Sequence, residues 1–377
     1  MILAASIMRI SGGPHNSGMQ APTTTINSAL PPFASLASEP TAVTTSPVSD
    51  ASALRLPASG VARLQHLGVI EVSGEDAIGF LNGQLSNDLN QLAPSQARLA
   101  AFCSAKGRMQ ASFVALKRDK GDVLLVCSAD LLATTLKRLS MFVMRAKAKL
   151  RDAGADFAIY GLLGQSTASL GDQANAPWSA ANMGEASVVQ LYPAQGVARQ
   201  LWLSPASAPA PAGPTLALAD WQCSEVLSGI ATVSAAVAEA FVPQMLNFES
   251  VGGVSFKKGC YPGQEVVARS QFRGTLKRRA YIAQWADGVA QAQAFDAAGS
   301  EGPLAPPVAA GQELFSSQDP DQPCGLVVQA ARSAQGPWLA IVSMQTSAAE
   351  AGELHLGSPS GAALALLPLP YALLEDI

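Results

Sequence analysis

Histidine is scarce in this chain. Only His15, His66 and His355 occur in 377 residues, and His15 falls in a low-complexity leader. Ser-His-Asp and His-metal chemistry therefore has almost no raw material. The five cysteines, at 103, 127, 223, 260 and 324, form no CxxC pair. That spacing argues against a zinc site or a complete iron–sulfur scaffold. An odd, dispersed set of thiols fits a reducing compartment, so the expected location is cytoplasmic. No apolar run reaches the roughly 18 residues of a membrane helix. The stretch 361–374 comes nearest, and Pro368 and Pro370 interrupt it. Neither a Gly-x-Gly-x-x-Gly after a strand nor a Walker loop is present, so nucleotide binding has no support. Charged residues make up 14% and the net charge is −4, which leaves any nucleic-acid contact to a local basic patch.

What is present divides along the chain. Residues 1–58 are rich in Ser, Thr, Pro and Ala and read as a disordered leader. They lack a basic segment before a clear apolar core, so no signal peptide is expected; a transit-type leader is the alternative. Folding is expected to begin near Val61. Val69–Val72, Asp122–Cys127 and Phe157–Leu163 read as strands, and Met109, Ala111, Phe113 and Ala115 alternate as a half-buried strand does. Ser73 and Asp76 suggest a capping box for a helix through Ala77, Phe80 and Leu81 that ends at Asn82-Gly83. Leu132, Leu136, Leu139 and Val143 recur at helical spacing. Residues 204–214 form a Pro/Ala loop. From Arg279 onward, short apolar runs separated by Gly and Pro suggest a small β-barrel. The fold class is α+β. Its expected divisions are 59–154, 155–278 and 279–377.

The most informative segment is 257–265, Lys-Lys-Gly-Cys-Tyr-Pro-Gly-Gln-Glu. It sets Cys260 beside Lys257 and Lys258, whose charge favours the reactive thiolate. Gly259 and Gly263 allow a ligand or another backbone to come close. Tyr261-Pro262-Gly263-Gln264 suits a type II turn, and Gln264–Arg269 a helical turn with Glu265 and Arg269 four apart. A tight turn whose cysteine merely packs in the core is the alternative. Within 257–279 stand Lys257, Lys258, Arg269, Arg273, Lys277, Arg278 and Arg279 against a single acid, Glu265. Such a patch suits an anion, whether glutamyl carboxylates or RNA phosphates; a solvated face is the other reading.

This motif, with Phe241-Val242-Pro243-Gln244-Met245-Leu246-Asn247, Gly252-Gly253-Val254-Ser255-Phe256, Val267-Ala268-Arg269 and Phe272-Arg273-Gly274 around it, resembles the YgfZ family. These are folate-binding relatives of the glycine-cleavage T-protein (aminomethyltransferase). Weaker echoes are Phe80-Leu81-Asn82-Gly83-Gln84, Asn87-Asp88, Ala105-Lys106-Gly107-Arg108-Met109 and Leu369-Pro370-Tyr371. The resemblance covers about residues 60–377 and implies a T-protein-like three-domain arrangement around a central folate pocket. It also implies a tetrahydrofolate-binding factor that helps assemble or repair iron–sulfur clusters in client enzymes, including those that modify tRNA. Cys260 would be a nucleophile or transient ligand, with Lys258 and Tyr261 beside it. Trp221, Asn247, Asp88, Arg273 and Glu265 are the candidates for holding folate. Trp221 and Tyr261 equally suit ordinary core, and Asp88 a turn or cap.

Two departures bear on activity. The T-protein carries acids where this chain has Ala111 and Ser112, and a Glu where it has Met245. Proton transfer and cation stabilisation by carboxylate need an ionisable oxygen, which none of the three supplies. The other readings are a folate-dependent one-carbon transferase, and an RNA-binding adaptor that touches tRNA through the 257–279 patch.

Overall fold

A computed structural model describes residues 55–170, 176–272, 276–285, 307–334 and 336–374. The leader expected over 1–58 therefore lies almost wholly outside the described residues. Two antiparallel five-stranded sheets and a closed barrel carry the chain. The first sheet is built from β2 (Leu67–Ser73), β3 (Ala97–Cys103), β4 (Met109–Lys117), β5 (Val123–Ser128) and β6 (Lys149–Asp152), in the order β3-β4-β5-β2-β6. The second runs β1-β7-β10-β9-β8, with β1 (Ser59–Arg63), β7 (Phe157–Gly164), β8 (Ala180–Met183), β9 (Ala186–Gln190) and β10 (Arg199–Pro205). Thus β1, which precedes the first sheet in sequence, pairs with β7 in the second. Helices α1 (Ala77–Asn82) and α2 (Leu132–Ser140) accompany the first sheet, and α3 (Leu218–Leu227) and α4 (Gln264–Phe272) follow the second. Strands β11 (Arg278–Trp285), β12 (Glu313–Ser316), β13 (Asp319–Arg332), β14 (Trp338–Gln345), β15 (Leu354–Leu356) and β16 (Ala363–Leu367) close the barrel, with α5 (Thr346–Ala351) between β14 and β15.

The alternation read over Met109–Ala115 marks β4, but the strand is buried on both faces rather than one. Met109, Ala111, Phe113 and Ala115 enter one apolar cluster, while Leu116 and partly buried Val114 enter a second, shared with Ile159, Leu163, Leu201 and Val189 of the second sheet. Strand β5 divides in the same way, Val123 and Leu125 to one side, Leu124 and Val126 to the other. Period two places alternate side chains on opposite faces, and here both faces find partners. Each such Leu or Phe contributes about 1.5–3 kcal/mol on burial. One expectation fails at α1. The helix begins after Asp76 with no side-chain cap, so Ser73 and Asp76 form no capping box. The Asp76 carboxylate instead accepts the Lys147 backbone N–H at 2.7 Å, drawn there by a neighbouring strand's approach.

Segment 241–249 is the hub where the pieces join. Gln244 donates from Nε2 to the Val267 carbonyl of α4 at 2.7 Å, and Ser343 of β14 donates to the Met245 carbonyl at 2.8 Å. Asn247, at φ 57°, uses its side-chain amide on both backbone groups of Ala280 in β11, donating at 2.9 Å and accepting at 3.2 Å. Buried Arg279 pairs with buried Glu249. Among the described residues, no helix is long and apolar enough to cross a membrane.

Candidate functional site

The Cys260 loop is placed by turn chemistry and by anchors on the first sheet. Pro262 fixes the second turn position, Gly263 adopts φ 80°, and Gln264 N–H closes the turn on the Tyr261 carbonyl at 3.2 Å, as a type II turn requires. Helix α4 starts at once, with Glu265 and Arg269 paired at 2.6 Å on its exposed face. Gly263 sits against the β3–β4 hairpin: a Cβ there would lie 2.4 Å from the Ser104 carbonyl oxygen and 2.6 Å from Gly107 Cα. Gly259 faces open space, so the close approach expected at both glycines occurs at Gly263 alone.

Behind the loop, Ser86 donates to the Gly253 carbonyl at 2.6 Å and Asn87 to that of Gly252 at 2.6 Å. Lys258 turns inward. Its ammonium donates to the Asn82 and Leu85 carbonyls and lies 4.6 Å from the centre of the Tyr261 ring. Burial lowers its pKa from 10.5 to about 8, against the opposing pull of Asp88 and Cys260. Tyr261 is buried, and burial first, then the nearby Cys103, pushes its phenol upward. Asp88 accepts from Asn90 N–H at 3.0 Å as a turn residue does. Cys260 is the one exposed thiol of the five; Cys103, Cys127 and Cys223 are buried and pushed up to about 12, chiefly by burial. The core-packed alternative for Cys260 is excluded. Among the described residues no three His, Cys, Asp or Glu side chains converge as a metal needs.

The basic patch read over 257–279 is largely dismantled. Lys258 and Arg279 are buried and engaged, Arg278 donates to the Cys324 carbonyl at 3.2 Å, and Arg269 is paired with Glu265. Arg273 lies outside the described residues. Among the described residues of this stretch, Lys257 and Lys277 are the exposed cations without a partner. A buried cation must be hydrogen-bonded, and Lys258 and Arg279 meet that need on carbonyls and on Glu249.

A second locus lies between the two sheets and α3, a partly open cavity of about 70 Å³. Its wall includes Ser112, Trp178, Tyr192, Arg199, Trp221 and Glu225. Trp221 is fully buried, its ring against Gly161, where a Cβ would come within 2.5 Å. Its indole N–H donates to Glu225 at 2.8 Å, and the Arg199 guanidinium stands 4.6 Å from its ring centre. Burial lowers the Arg199 pKa to about 10, against the attraction of Glu225. The Glu225 carboxylate also receives His66 at 3.1 Å and Gln329 at 3.2 Å. For His66, burial opposes the charged form, but the hydrogen bond and charge of Glu225 prevail and raise its pKa. His66 and Gln329 line an adjoining open cleft of about 470 Å³, which shares Thr232 with the cavity.

The predicted residues therefore fall in separate places. Trp221 and Ser112 meet at the cavity; Cys260, Lys258 and Tyr261 meet at the loop, with Asp88 close enough to act on Lys258. No residue of 257–265 belongs to the cavity wall, so Cys260 does not face the cavity that Trp221 lines. Asn247 is spent on the backbone of β11, Glu265 is exposed beside Arg269, and Met245 lines a surface cleft with Arg108 and Arg278. Sequence reading missed Glu225, Arg199, Trp178, Tyr192 and His66. Glu225 alone left a signal, four residues after Trp221 on one helical face.

The family model of the GCVT N-terminal domain matches residues 42–191. The tRNA-modifying protein YgfZ of Colwellia psychrerythraea is 32% identical over 235 residues, which is 60% of this chain and 72% of that relative. The protein of the same name from Edwardsiella ictaluri is 34% identical over 264 residues, 65% of this chain and 76% of its own length. That of Serratia proteamaculans is 28% identical over 327 residues, 83% of this chain and 92% of its own. Among solved structures, the glycine cleavage system aminomethyltransferase T from Bartonella henselae superposes with a TM-score of 0.55 at 13% identity, covering 84% of this chain and 87% of that one. The fold is T-protein-like, with a barrel at its C-terminal end.

Proposed function

Because this chain belongs to the YgfZ family, we propose that it binds tetrahydrofolate, or a derivative, and acts in the cytoplasm to support iron–sulfur cluster assembly or repair in client enzymes, those that modify tRNA among them. The observation that carries the folate half is the cavity wall. Trp178 and Tyr192, both partly exposed, supply aromatic faces, Trp221 backs the cavity, and the buried Glu225 carboxylate supplies an acceptor for the amino and ring N–H groups of a pterin edge. The polarity of this wall matches such an edge. The space is tight, well below the roughly 300–1,000 Å³ of most ligand sites, so entry requires Glu225 to exchange His66 or Gln329 for the ligand. Both side chains border the open cleft, the route by which a glutamyl tail reaches solvent.

Cys260 is the residue for the client. Its exposure and the nearby Lys258 suit a thiolate that meets a partner's cluster, as a transient ligand or a nucleophile. One thiol cannot hold a cluster alone, so the contact is shared with the client. Aminomethyl transfer is disfavoured, since Ser112 supplies no ionisable oxygen and the cavity's carboxylate, Glu225, is already held by Trp221, His66 and Gln329.

Tryptophan-fluorescence titration with tetrahydrofolate tests the cavity. Glu225→Gln and Trp221→Phe are expected to weaken binding by about tenfold or more. Unchanged affinity in both removes the cavity from the ligand site. Cys260→Ala is expected to keep wild-type folate affinity yet fail to rescue a strain lacking the protein. Full rescue refutes a chemical role for the thiol.

A further inference from the structure

The strongest unassigned surface lies more than a hundred residues before the expected patch, in the first sheet's part of the chain. Between residues 137 and 151 stand Lys137, Arg138, Arg145, Lys147, Lys149 and Arg151, with no acid among them. Lys147 pairs with Glu75, and Arg151 with Glu71 and Asp156. Lys137, Arg138, Arg145 and Lys149 are exposed and have no ion-pair partner among the described residues. Between them, Met141, Phe142 and Met144 are exposed at 63%, 42% and 88%. Isolated apolar side chains on a surface are ordinary; three within four residues are not.

This projection is held in place. Leu132, Thr135 and Leu139 bury the inner face of α2, and the Phe142 N–H caps the Leu139 carbonyl at 3.0 Å. At the other foot, Asp76 binds the Lys147 N–H, and Gly74 passes so close that a Cβ there would lie 2.1 Å from the Lys147 carbonyl oxygen. Met144 sits at φ 39°, a strained conformation for a long side chain. Strand β6 then leaves along the outer edge of its sheet. Favourable placement at the end of α2 accounts for Lys137 and Arg138, but not for Arg145 and Lys149.

We propose that α2's last turn, the 141–146 loop and β6 form a docking surface for a single-stranded segment of RNA, with Phe142 stacking on a base and the four unpaired cations on phosphates. The choice of partner rests on the tRNA-linked reading above. An anionic membrane fits less well, because Arg145 follows Met144 directly and insertion of the tip would carry that charge into hydrocarbon.

The test uses the full chain and a labelled single-stranded RNA of about 12 nucleotides, with tetrahydrofolate binding measured on the same samples. Four phosphate contacts at about 0.7 each give an expected log K against log salt slope near −3. Arg145→Glu with Lys149→Glu should flatten that slope by more than about one unit. Phe142→Ser should cost about tenfold in affinity and leave the slope unchanged, since stacking releases no counterions. All these side chains are exposed, so unchanged circular dichroism and folate binding are expected. Absent RNA binding in the wild type, equal binding by the variants, or binding of phosphatidylserine vesicles in place of RNA overturns the surface and leaves the folate reading standing. Loss of folate binding in the wild type would sink that reading while the RNA result stood.

Discussion

Gly263 and Gly107 meet backbone to backbone, each in the left-handed region, at φ 80° and 71°. The two turns lock the Cys260 loop onto the β3–β4 hairpin, and neither tolerates a side chain. A Cβ on Gly107 would itself lie 2.9 Å from Val266. Gly263→Ala is expected to destabilise by about 2–3 kcal/mol, through strain and overlap together. That corresponds to a fall in Tm of roughly 5 °C or more. Gly259→Ala, in open space, should stay within about 0.5 kcal/mol. Equal melting temperatures for the two variants would contradict the locked arrangement.

How Lys258 acts on Cys260 can be read from alkylation. Its ammonium is charged at neutral pH and loses that charge above about 8. Lys258→Met should slow iodoacetamide labelling of Cys260 several-fold near pH 7, because a thiolate beside a cation is favoured. The difference between variant and wild type should shrink as pH rises past 8, where the wild-type lysine becomes neutral. A pH-independent ratio would mean that the lysine acts only by holding the Asn82 and Leu85 carbonyls.

Much of the loop was legible in the sequence because its causes are local. Pro262-Gly263 dictates a turn wherever it occurs, and Glu265 to Arg269 is a helical spacing. Strand β4 was legible from alternation, although its second buried face was not, since the covering side chains come from β7 and β10. The cavity was illegible for the same reason: His66, Arg199, Glu225 and Gln329 converge from β1's following turn, β10, α3 and β13. Charge counting misplaced the basic surface. Lys258 and Arg279 add to a count like any cation, but both turn inward to carbonyls or Glu249, whereas Arg145 and Lys149 stay in solvent.

Asn247 offers a test of the hub. It occupies φ 57°, which Asn tolerates better than most residues, and serves both backbone groups of Ala280 while fully buried. Asn247→Ala leaves a buried N–H and C=O without their partners and should cost about 2–4 kcal/mol, measured by urea unfolding. Asn247→Asp restores only the acceptor and should not recover full stability. A cost below about 0.5 kcal/mol would show that the barrel docks without this residue.

The last prediction concerns pH. The folded state raises the His66 pKa above its ordinary 6.5, so folding binds a proton there more tightly than the unfolded chain does. The stability contributed by the His66–Glu225 pair is therefore fully present below 6.5 and is lost as pH rises through the raised value. His66→Gln should accordingly be less stable than wild type by about 1–2 kcal/mol near pH 5.5, and the gap should narrow as pH rises through the raised value. The same titration bears on ligand entry. A protonated His66 holds the Glu225 carboxylate more firmly, so tetrahydrofolate affinity should rise with pH over this window in wild type and stay level in His66→Gln. Parallel pH profiles for the two proteins would separate His66 from the control of Glu225.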